Sequence, residues 1–95
     1  MITREGERLL LQGPVTIGTV SALLAQLRTA LGSGVAVLDF KGVSEVDSAS
    51  VALALECLRE ARRRGLALRL SNLPEAMRHL AQLYSVSELL QADPA

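Results

Sequence analysis

Segments with two different hydrophobic periods alternate along this 95-residue chain, and the alternation limits the folds that it can adopt. The nearly unbroken apolar run VAVLDF, residues 35–40, is followed by a helical pattern over residues 48–64 and then by the alternating run LALRLSNL, residues 66–73. A short run that is almost entirely apolar is typical of a strand buried on both faces. Because parallel strands need a long connection, usually a helix, this order predicts a parallel or mixed sheet with helices packed on it.

The amino-terminal part of the chain shows the same alternation. RLLLQG, residues 8–13, and VTI, residues 15–17, predict two short strands separated by Pro14, a residue that indicates an edge position. Residues 19–31 carry apolar side chains at spacings of three and four, which predicts a first helix that ends at Gly32.

The carboxyl-terminal part adds a third helix that begins after Asn72 and Pro74, and a last helical turn in SVSELL, residues 85–90. The apolar stripe of the third helix consists of Met77, Leu80, Ala81 and Tyr84. The predicted order is ββαβαβα, an α/β fold with a mixed four-stranded sheet, in one domain that covers residues 1–95. Only ADPA, residues 92–95, is expected to be disordered.

Composition argues against several classes of function. Ten basic residues balance ten acidic ones, so the chain lacks the excess positive charge typical of nucleic-acid binding, and no nucleic-acid partner is expected. Cys57 is the single cysteine, which excludes an internal disulfide and predicts a small buried side chain. The sequence has no cluster of His, Cys, Asp and Glu at metal-ligand spacing and no glycine-rich phosphate loop. Neither a metal nor a cofactor is therefore expected.

The amino terminus and the hydropathy pattern predict a cytoplasmic protein. MITREGERLL, residues 1–10, lacks the apolar segment of a signal peptide. No segment reaches the ~18–20 apolar residues needed to cross a bilayer, so direct membrane insertion is not expected.

Polar residues interrupt the apolar pattern at the start of the second helix, in SEVDSAS, residues 44–50. Asp47 or Ser48 is suited to cap this helix, because a side-chain oxygen can accept a hydrogen bond from a free amide of the first turn. The same amides and the helix dipole favour an anion at this position, including a phosphate on serine. Ser48 is therefore a candidate phosphoacceptor or a candidate contact for another protein.

Helical geometry suggests a docking face beside Ser48. At ~100° per residue, Val51, Leu55 and Leu58 share one sector and are expected to face the core. Leu53 falls almost opposite, which predicts an exposed leucine among small residues, although a single exposed leucine is also ordinary. The residues predicted to contact a partner are Asp47, Ser48, Ala49, Ser50, Ala52, Leu53 and Glu56.

Little in the sequence indicates an enzyme. His79 is the single histidine and lies on the polar side of the third helix, where a solvated surface residue is expected. A Ser–His–Asp unit would require His79 to lie next to Ser48, and the sequence offers no reason for that placement. We therefore expect no catalytic activity, and a small hydrolase that uses Ser48 is the weakest of the readings.

The junction and the element order together resemble the STAS domain, the fold of anti-sigma factor antagonists and of the cytoplasmic tails of sulfate transporters. The hallmark of that family is a strand followed by D-[ST]-x-G leading into a helix, and here the segment reads VDSASVALAL. Asp47 and Ser48 match the acid and the hydroxyl, while Ser50 stands where glycine is usual. The resemblance extends over about residues 8–90 and implies that Ser48 is the hydroxyl at the partner interface.

The second half, above all LRLSNLPEAMRHLAQLYSVSELL, resembles the MlaB-like branch of that family. This resemblance implies a non-catalytic accessory subunit that binds the cytoplasmic MlaF-like ATPase of a phospholipid-transport ABC complex. Such a complex contains a permease and a lipid-binding subunit and maintains outer-membrane lipid asymmetry in Gram-negative bacteria. The chain would then be cytoplasmic and peripheral to the inner membrane through its partner. The alternative that the family leaves open is an anti-sigma factor antagonist regulated by phosphorylation at Ser48.

Overall fold

The computed structural model of the chain describes residues 1–32 and 34–90, which form a four-stranded sheet and four helices. The expectation of disorder at residues 92–95 lies outside the described residues. The elements in chain order are β1 (Ile2–Glu5), β2 (Arg8–Val15), α1 (Val20–Ala30), β3 (Val37–Val46), α2 (Ser48–Arg63), β4 (Arg69–Ser71), α3 (Glu75–Leu83) and α4 (Ser87–Leu90).

The sheet has the spatial order β1-β2-β3-β4, and its strands run in mixed directions. Strands β1 and β2 are antiparallel, whereas β2 with β3 and β3 with β4 are parallel. The two parallel pairs are connected through α1 and α2, as the length of a crossover connection requires. The predicted order ββαβαβα and the mixed four-stranded sheet are therefore confirmed, with α4 as the last helical turn.

Of the two predicted amino-terminal strands, RLLLQG is confirmed within β2, whereas the other strand lies before it in the chain and not after it. β1 precedes the segment RLLLQG and turns into it at Gly6, which has a φ of 59°. The predicted VTI strand is wrong, because Val15 ends β2 and residues 16–17 belong to the following loop. β1 has almost no apolar signal, since as an edge strand it exposes three of its four residues.

The central strand β3 is longer than its apolar run and carries the chain directly into α2. Its first four residues are buried, and it continues through exposed and half-buried residues to Val46. The ladder with β2 shifts register between Leu10 and Gln12. Opposite this bulge lies Gly42, where a Cβ atom would come within 2.9 Å of the Leu11 carbonyl oxygen. β3 therefore places Asp47, the residue after Val46, at the end of the central strand.

One face of the sheet forms the hydrophobic core with the helices. Leu9, Leu38, Phe40 and Leu70 belong to this core, and α2 packs between α1 and α3. Because side chains alternate along a strand, Asp39 points to the other face, where it is almost fully buried. There the Asp39 carboxylate accepts hydrogen bonds from Arg8 Nη1 at 2.9 Å, Lys41 N at 2.8 Å and Asn72 Nδ2 at 3.0 Å. This network joins β2, β3 and the residue that follows β4.

Helix α2 turns a different face to the core from the one that its leucines predict. Of the expected stripe, Val51 is buried, but Leu55 and Leu58 are only half-buried. The face against the core consists mostly of small residues, namely Ala49, Ser50, Val51, Leu53, Ala54, Cys57 and Ala61. The prediction of an exposed Leu53 is wrong, since this side chain has an exposed fraction of 0%. The buried arc is wide, roughly 200° at 100° per residue, because α2 contacts helices on both sides.

Candidate functional site

Asp47 caps helix α2 and also ties down the loop that precedes α1. Its Oδ1 accepts a hydrogen bond from the backbone N–H of Ala49 at 2.8 Å, and its Oδ2 accepts one from the backbone N–H of Ile17 at 3.0 Å. The predicted capping role of Asp47 is therefore confirmed. The second bond brings the loop after β2 beside the first turn of α2, so that two segments distant in sequence meet at this end of the helix.

Ser48, the first residue of α2, is exposed, and its hydroxyl contacts the end of α3. The oxygen atoms of Ser48 Oγ and Tyr84 OH lie 2.5 Å apart in a hydrogen bond that either hydroxyl can donate. Tyr84 follows the last residue of α3 and is 47% exposed, so the prediction that it belongs to the buried stripe of that helix is wrong. The serine hydroxyl thus reaches the surface next to the single tyrosine of the chain.

Four exposed side chains surround this end of α2, and together they are called the Ser48 surface. Ile17 is 79% exposed and adjoins Asp47 through its backbone bond, and Tyr84 adjoins Ser48. Ala52 lies one turn further along the outward face of α2 and is also exposed. The Ser48 surface therefore consists of Ile17, Ser48, Ala52 and Tyr84, which come from three separate parts of the chain.

Three of the predicted contact residues face the interior. Ala49, Ser50 and Leu53 are all buried, and Ser50 Oγ donates to the Asp47 carbonyl oxygen at 2.7 Å. These side chains cannot reach a partner while the domain is folded, because they lie on the side of α2 that meets the core. Ser50 also replaces the family's glycine without strain, since its position is helical with an ordinary negative φ.

Glu56, another predicted contact residue, belongs to a group of charged side chains that links α1 and α2. Its carboxylate lies 3.8 Å from Arg28 Nη2, 3.0 Å from Arg59 Nη1 and 3.9 Å from Arg63 Nη2. These contacts are partly solvated and add little stability each. The three arginines would compete with any partner for the Glu56 carboxylate, so Glu56 is less available for binding than the Ser48 surface.

The backbone is strained at Ser85, the residue that follows Tyr84. Val86 N donates to the Ala81 carbonyl oxygen and Ser85 N donates to the Gln82 carbonyl oxygen, the two bonds of a Schellman helix end. Ser85 therefore takes the left-handed conformation, with a φ of 60°, at the position where glycine is favoured. Tyr84 is thus held over Ser48 by a turn that costs free energy, a feature that is frequent near functional sites.

His79 and Cys57 are the other two side chains whose reactivity the sequence raises as a question. His79 is exposed, and its Nε2 lies 3.8 Å from Oε1 of Glu75 on the same helix. Burial, together with the charge of Glu56, raises the pKa of the Cys57 thiol to about 12, despite the opposing charge of Arg28. Cys57 is therefore protonated and unreactive at neutral pH.

Within residues 1–32 and 34–90, no group of three or more His, Cys, Asp or Glu side chains is arranged to hold a metal ion. No helix in the same part of the chain is both long enough and apolar enough to span a bilayer. The exposed features at the amino end of α2 are the hydroxyl groups of Ser48 and Tyr84 and the apolar side chain of Ile17, which are chemically suited to a contact surface.

Comparison with known proteins places the chain in a family. A family model described as Mlab, STAS domain, matches residues 1–91, and the chain belongs to the STAS domain family. The comparison with curated proteins gave no match. The resemblance first seen in VDSASVALAL is therefore confirmed at the level of the STAS family.

Solved structures agree with this fold. The anti-sigma factor antagonist SpoIIAA in its unphosphorylated form is 20% identical with a TM-score of 0.71, over 99% of this chain and 87% of that one. SpoIIAA from Bacillus in its phosphorylated form is 22% identical with a TM-score of 0.66, over 99% and 90%. A sulfate transporter family protein from Wolinella succinogenes is 20% identical with a TM-score of 0.65, over 88% and 70%. At these identities the likeness confirms the predicted fold.

The hydrogen bond between Ser48 and Tyr84 predicts measurable coupling between α2 and α3. Ser48→Ala and Tyr84→Phe each remove one hydroxyl, and a double-mutant cycle on the free energy of unfolding in urea should give a coupling energy of about 0.5–1 kcal/mol. Because the chain has one tyrosine and no tryptophan, Ser48→Ala should also change the tyrosine emission. Thr29→Ala, which removes an exposed hydroxyl on α1, should leave that emission unchanged. Strictly additive effects of the two substitutions would contradict the bond.

Proposed function

We propose that this chain is a non-catalytic accessory subunit that binds the cytoplasmic, MlaF-like ATPase of a phospholipid-transport ABC complex. In that complex, which also contains a permease and a lipid-binding subunit, it supports maintenance of outer-membrane lipid asymmetry and lies peripheral to the inner membrane through the ATPase. The observation that carries the proposal is the Ser48 surface, where an exposed hydroxyl is flanked by two exposed large apolar side chains. The description of the matching family model supports the same branch of the STAS family.

The Ser48 surface has the chemistry of a polypeptide interface. Tyrosine and other aromatic residues are enriched among the residues that contribute most to binding. Tyr84 offers both an aromatic ring and a hydroxyl group, and the hydroxyl could replace its hydrogen bond to Ser48 with one to the partner. Ile17 is more exposed than any other large hydrophobic residue of the described chain, and burying its side chain would contribute about 1.5–3 kcal/mol. Binding a polypeptide at the Ser48 surface does not require the enclosed, polar pocket that a small substrate would need.

Substitutions on the Ser48 surface should abolish binding without unfolding the domain. The chain is co-expressed with the MlaF-like ATPase of its own genome, and the ratio of the two proteins after affinity purification is measured. Ile17→Asp and Ala52→Arg each place a charge where the partner would exclude water, so we expect at least about a tenfold loss of co-purified chain. Both positions are exposed, so the melting temperature of the isolated domain should change little.

Ala25→Arg is the matched control for Ala52→Arg, since Ala25 is an exposed alanine of α1 that lies beside Ile2 and away from Ser48. This variant should co-purify at the wild-type ratio. The proposal is refuted if the wild-type chain does not bind the ATPase, or if both charged variants bind it as well as the wild type does.

A second candidate is an anti-sigma factor antagonist that is phosphorylated at Ser48. The observation in its favour is the exposed Ser48 hydroxyl at the amino end of a helix of 16 residues, where free amides and the helix dipole favour a phosphate. Intact-mass spectrometry of the chain from its native cell distinguishes the two candidates. A phosphorylated species that Ser48→Ala removes, together with no ATPase binding, would favour the antagonist.

A further inference from the structure

A second surface feature lies on the other half of α2, away from Ser48. Two adjoining hollows of about 500 and 270 Å³ run along the outer side of this helix and share Leu58, Arg62 and Leu89 in their linings. They therefore form one trough between α2 and α4, which we call the α2–α4 trough. The trough begins at Leu55. Helix α2 lines it from Leu55 to Arg62, a distance of about 10 Å at 1.5 Å per residue.

The floor and one rim of the α2–α4 trough are apolar. Leu55 and Leu58, the half-buried leucines that the sequence assigns to the core, line it from α2. Leu66 and Leu68 line it from the segment before β4, and both are half-buried. Leu89 stands at the rim with 63% of its surface exposed, in a helix of only four residues. A large apolar side chain held at the edge of an apolar hollow is typical of a contact surface.

Among the described residues, the charged side chains that line the trough are those of Arg59, Arg62 and Arg69. Arg69 already takes part in another interaction. Arg59 forms an ion pair with Glu56, whereas Arg62 has no ion pair among the described residues. The chain as a whole is neutral, so the excess of arginine among the described lining residues is a local property of the trough. A partner with carboxylates at the positions next to Arg62 would complement it.

We propose that the α2–α4 trough binds an amphipathic helix of a partner polypeptide, with apolar side chains on one face and Asp or Glu along the edge of that face. The inference is independent of the Ser48 surface, because it rests on different residues at the opposite half of α2. A helix fits because the hollow is an open trough rather than an enclosed pocket, and leucines from α2, α4 and the segment before β4 line it. Such a groove takes the side chains of a helix at spacings of three and four.

The test uses a synthetic 18-residue peptide with leucines at helical spacings of three and four and glutamates beside them, labelled for fluorescence anisotropy. The full chain should bind it saturably. Arg62→Glu and Leu89→Asp should each weaken binding by about tenfold or more, since one reverses the complementary charge and the other puts a charge at the apolar rim. Arg4→Glu on β1 and Leu83→Asp on α3 are the matched controls at exposed positions outside the trough, and both should bind normally.

Several results would overturn this inference. One is absence of saturable binding, and another is equal binding of a peptide with the same composition in scrambled order. A third is binding that Arg62→Glu and Leu89→Asp leave unchanged. Binding that appears only in a chain shortened to end at Leu90 would assign the trough to residues 91–95, and binding of laurate without binding of the peptide would assign it to a small amphiphile. Because Ile17→Asp should not affect the peptide, failure here is distinct from failure at the Ser48 surface.

Discussion

Replacing Leu53 by arginine should unfold the domain rather than detach a partner. The Leu53 side chain is fully buried among the core residues, so the substitution removes its packing and places an unpaired charge in the interior. Loss of a buried leucine alone costs about 2–5 kcal/mol, and the buried charge adds several more. A domain of this size has a total stability of about 5–10 kcal/mol, so we expect the variant to lack cooperative unfolding by circular dichroism.

Ala52→Arg is the matched control, since it introduces the same side chain one position earlier in the same helix. Ala52 is exposed, and alanine and arginine both have high helix propensity. Its free energy of unfolding should stay within about 0.5 kcal/mol of the wild type. A folded Leu53→Arg variant with wild-type stability would show that the assigned core face of α2 is wrong.

The contrast between these neighbours shows what the sequence of α2 leaves undetermined. The pattern predicts a helix over residues 48–64 with Asp47 or Ser48 as its cap, and the structure has α2 from Ser48 to Arg63 with Asp47 as the cap. It does not identify the buried face, because leucines occur on two sides of the helix and small residues lie between them. The structure resolves this ambiguity because α2 is covered on both flanks by α1 and α3, so its buried arc includes Leu53 and leaves Leu55 at the edge.

Only part of the Ser48 surface could be predicted from the sequence, because the other residues are brought there by the fold. Asp47 and Ser48 are visible as a capping pair at a strand–helix junction, and that signal is local. Ile17 and Tyr84 belong to segments 30 and 36 residues away from the residues they meet, so only the fold brings them to this end of α2. Tyr84 even matches the helical spacing of the buried stripe of α3, and its exposure follows from its position beyond the end of that helix.

The second large effect is expected at Asp39, whose role no sequence pattern indicated. Its carboxylate is nearly buried and accepts three hydrogen bonds from side chains and backbone of β2, β3 and the residue after β4. Asp39→Ala would leave the Lys41 amide and the Asn72 amide group without their acceptor and Arg8 without its ion pair. We expect a loss of about 3 kcal/mol in the free energy of unfolding, measured in urea at pH 7.

The charge on Asp39 also makes stability depend on pH. Burial raises the pKa of Asp39, but the hydrogen bonds from Asn72 and Lys41 and the charge of Arg8 outweigh it, so that the pKa lies below its ordinary value of 3.8. A carboxyl with a lowered pKa in the folded state stabilises the protein fully above its unfolded pKa and loses that contribution as the pH falls through the folded pKa. The wild type should therefore lose stability as the pH falls through and below the ordinary Asp39 pKa of 3.8, beyond the loss due to its other carboxyl groups.

Asp39→Asn separates the charge from the shape of the side chain. The amide keeps one acceptor oxygen and cannot titrate, so this variant should be less stable than the wild type at pH 7, and the difference should narrow as the pH falls. Glu7→Gln, at an exposed position outside the network, is the matched control and should follow the wild-type curve closely. Parallel curves for the wild type and Asp39→Asn over the whole acid range would show that the charge of Asp39 contributes nothing to the folded state.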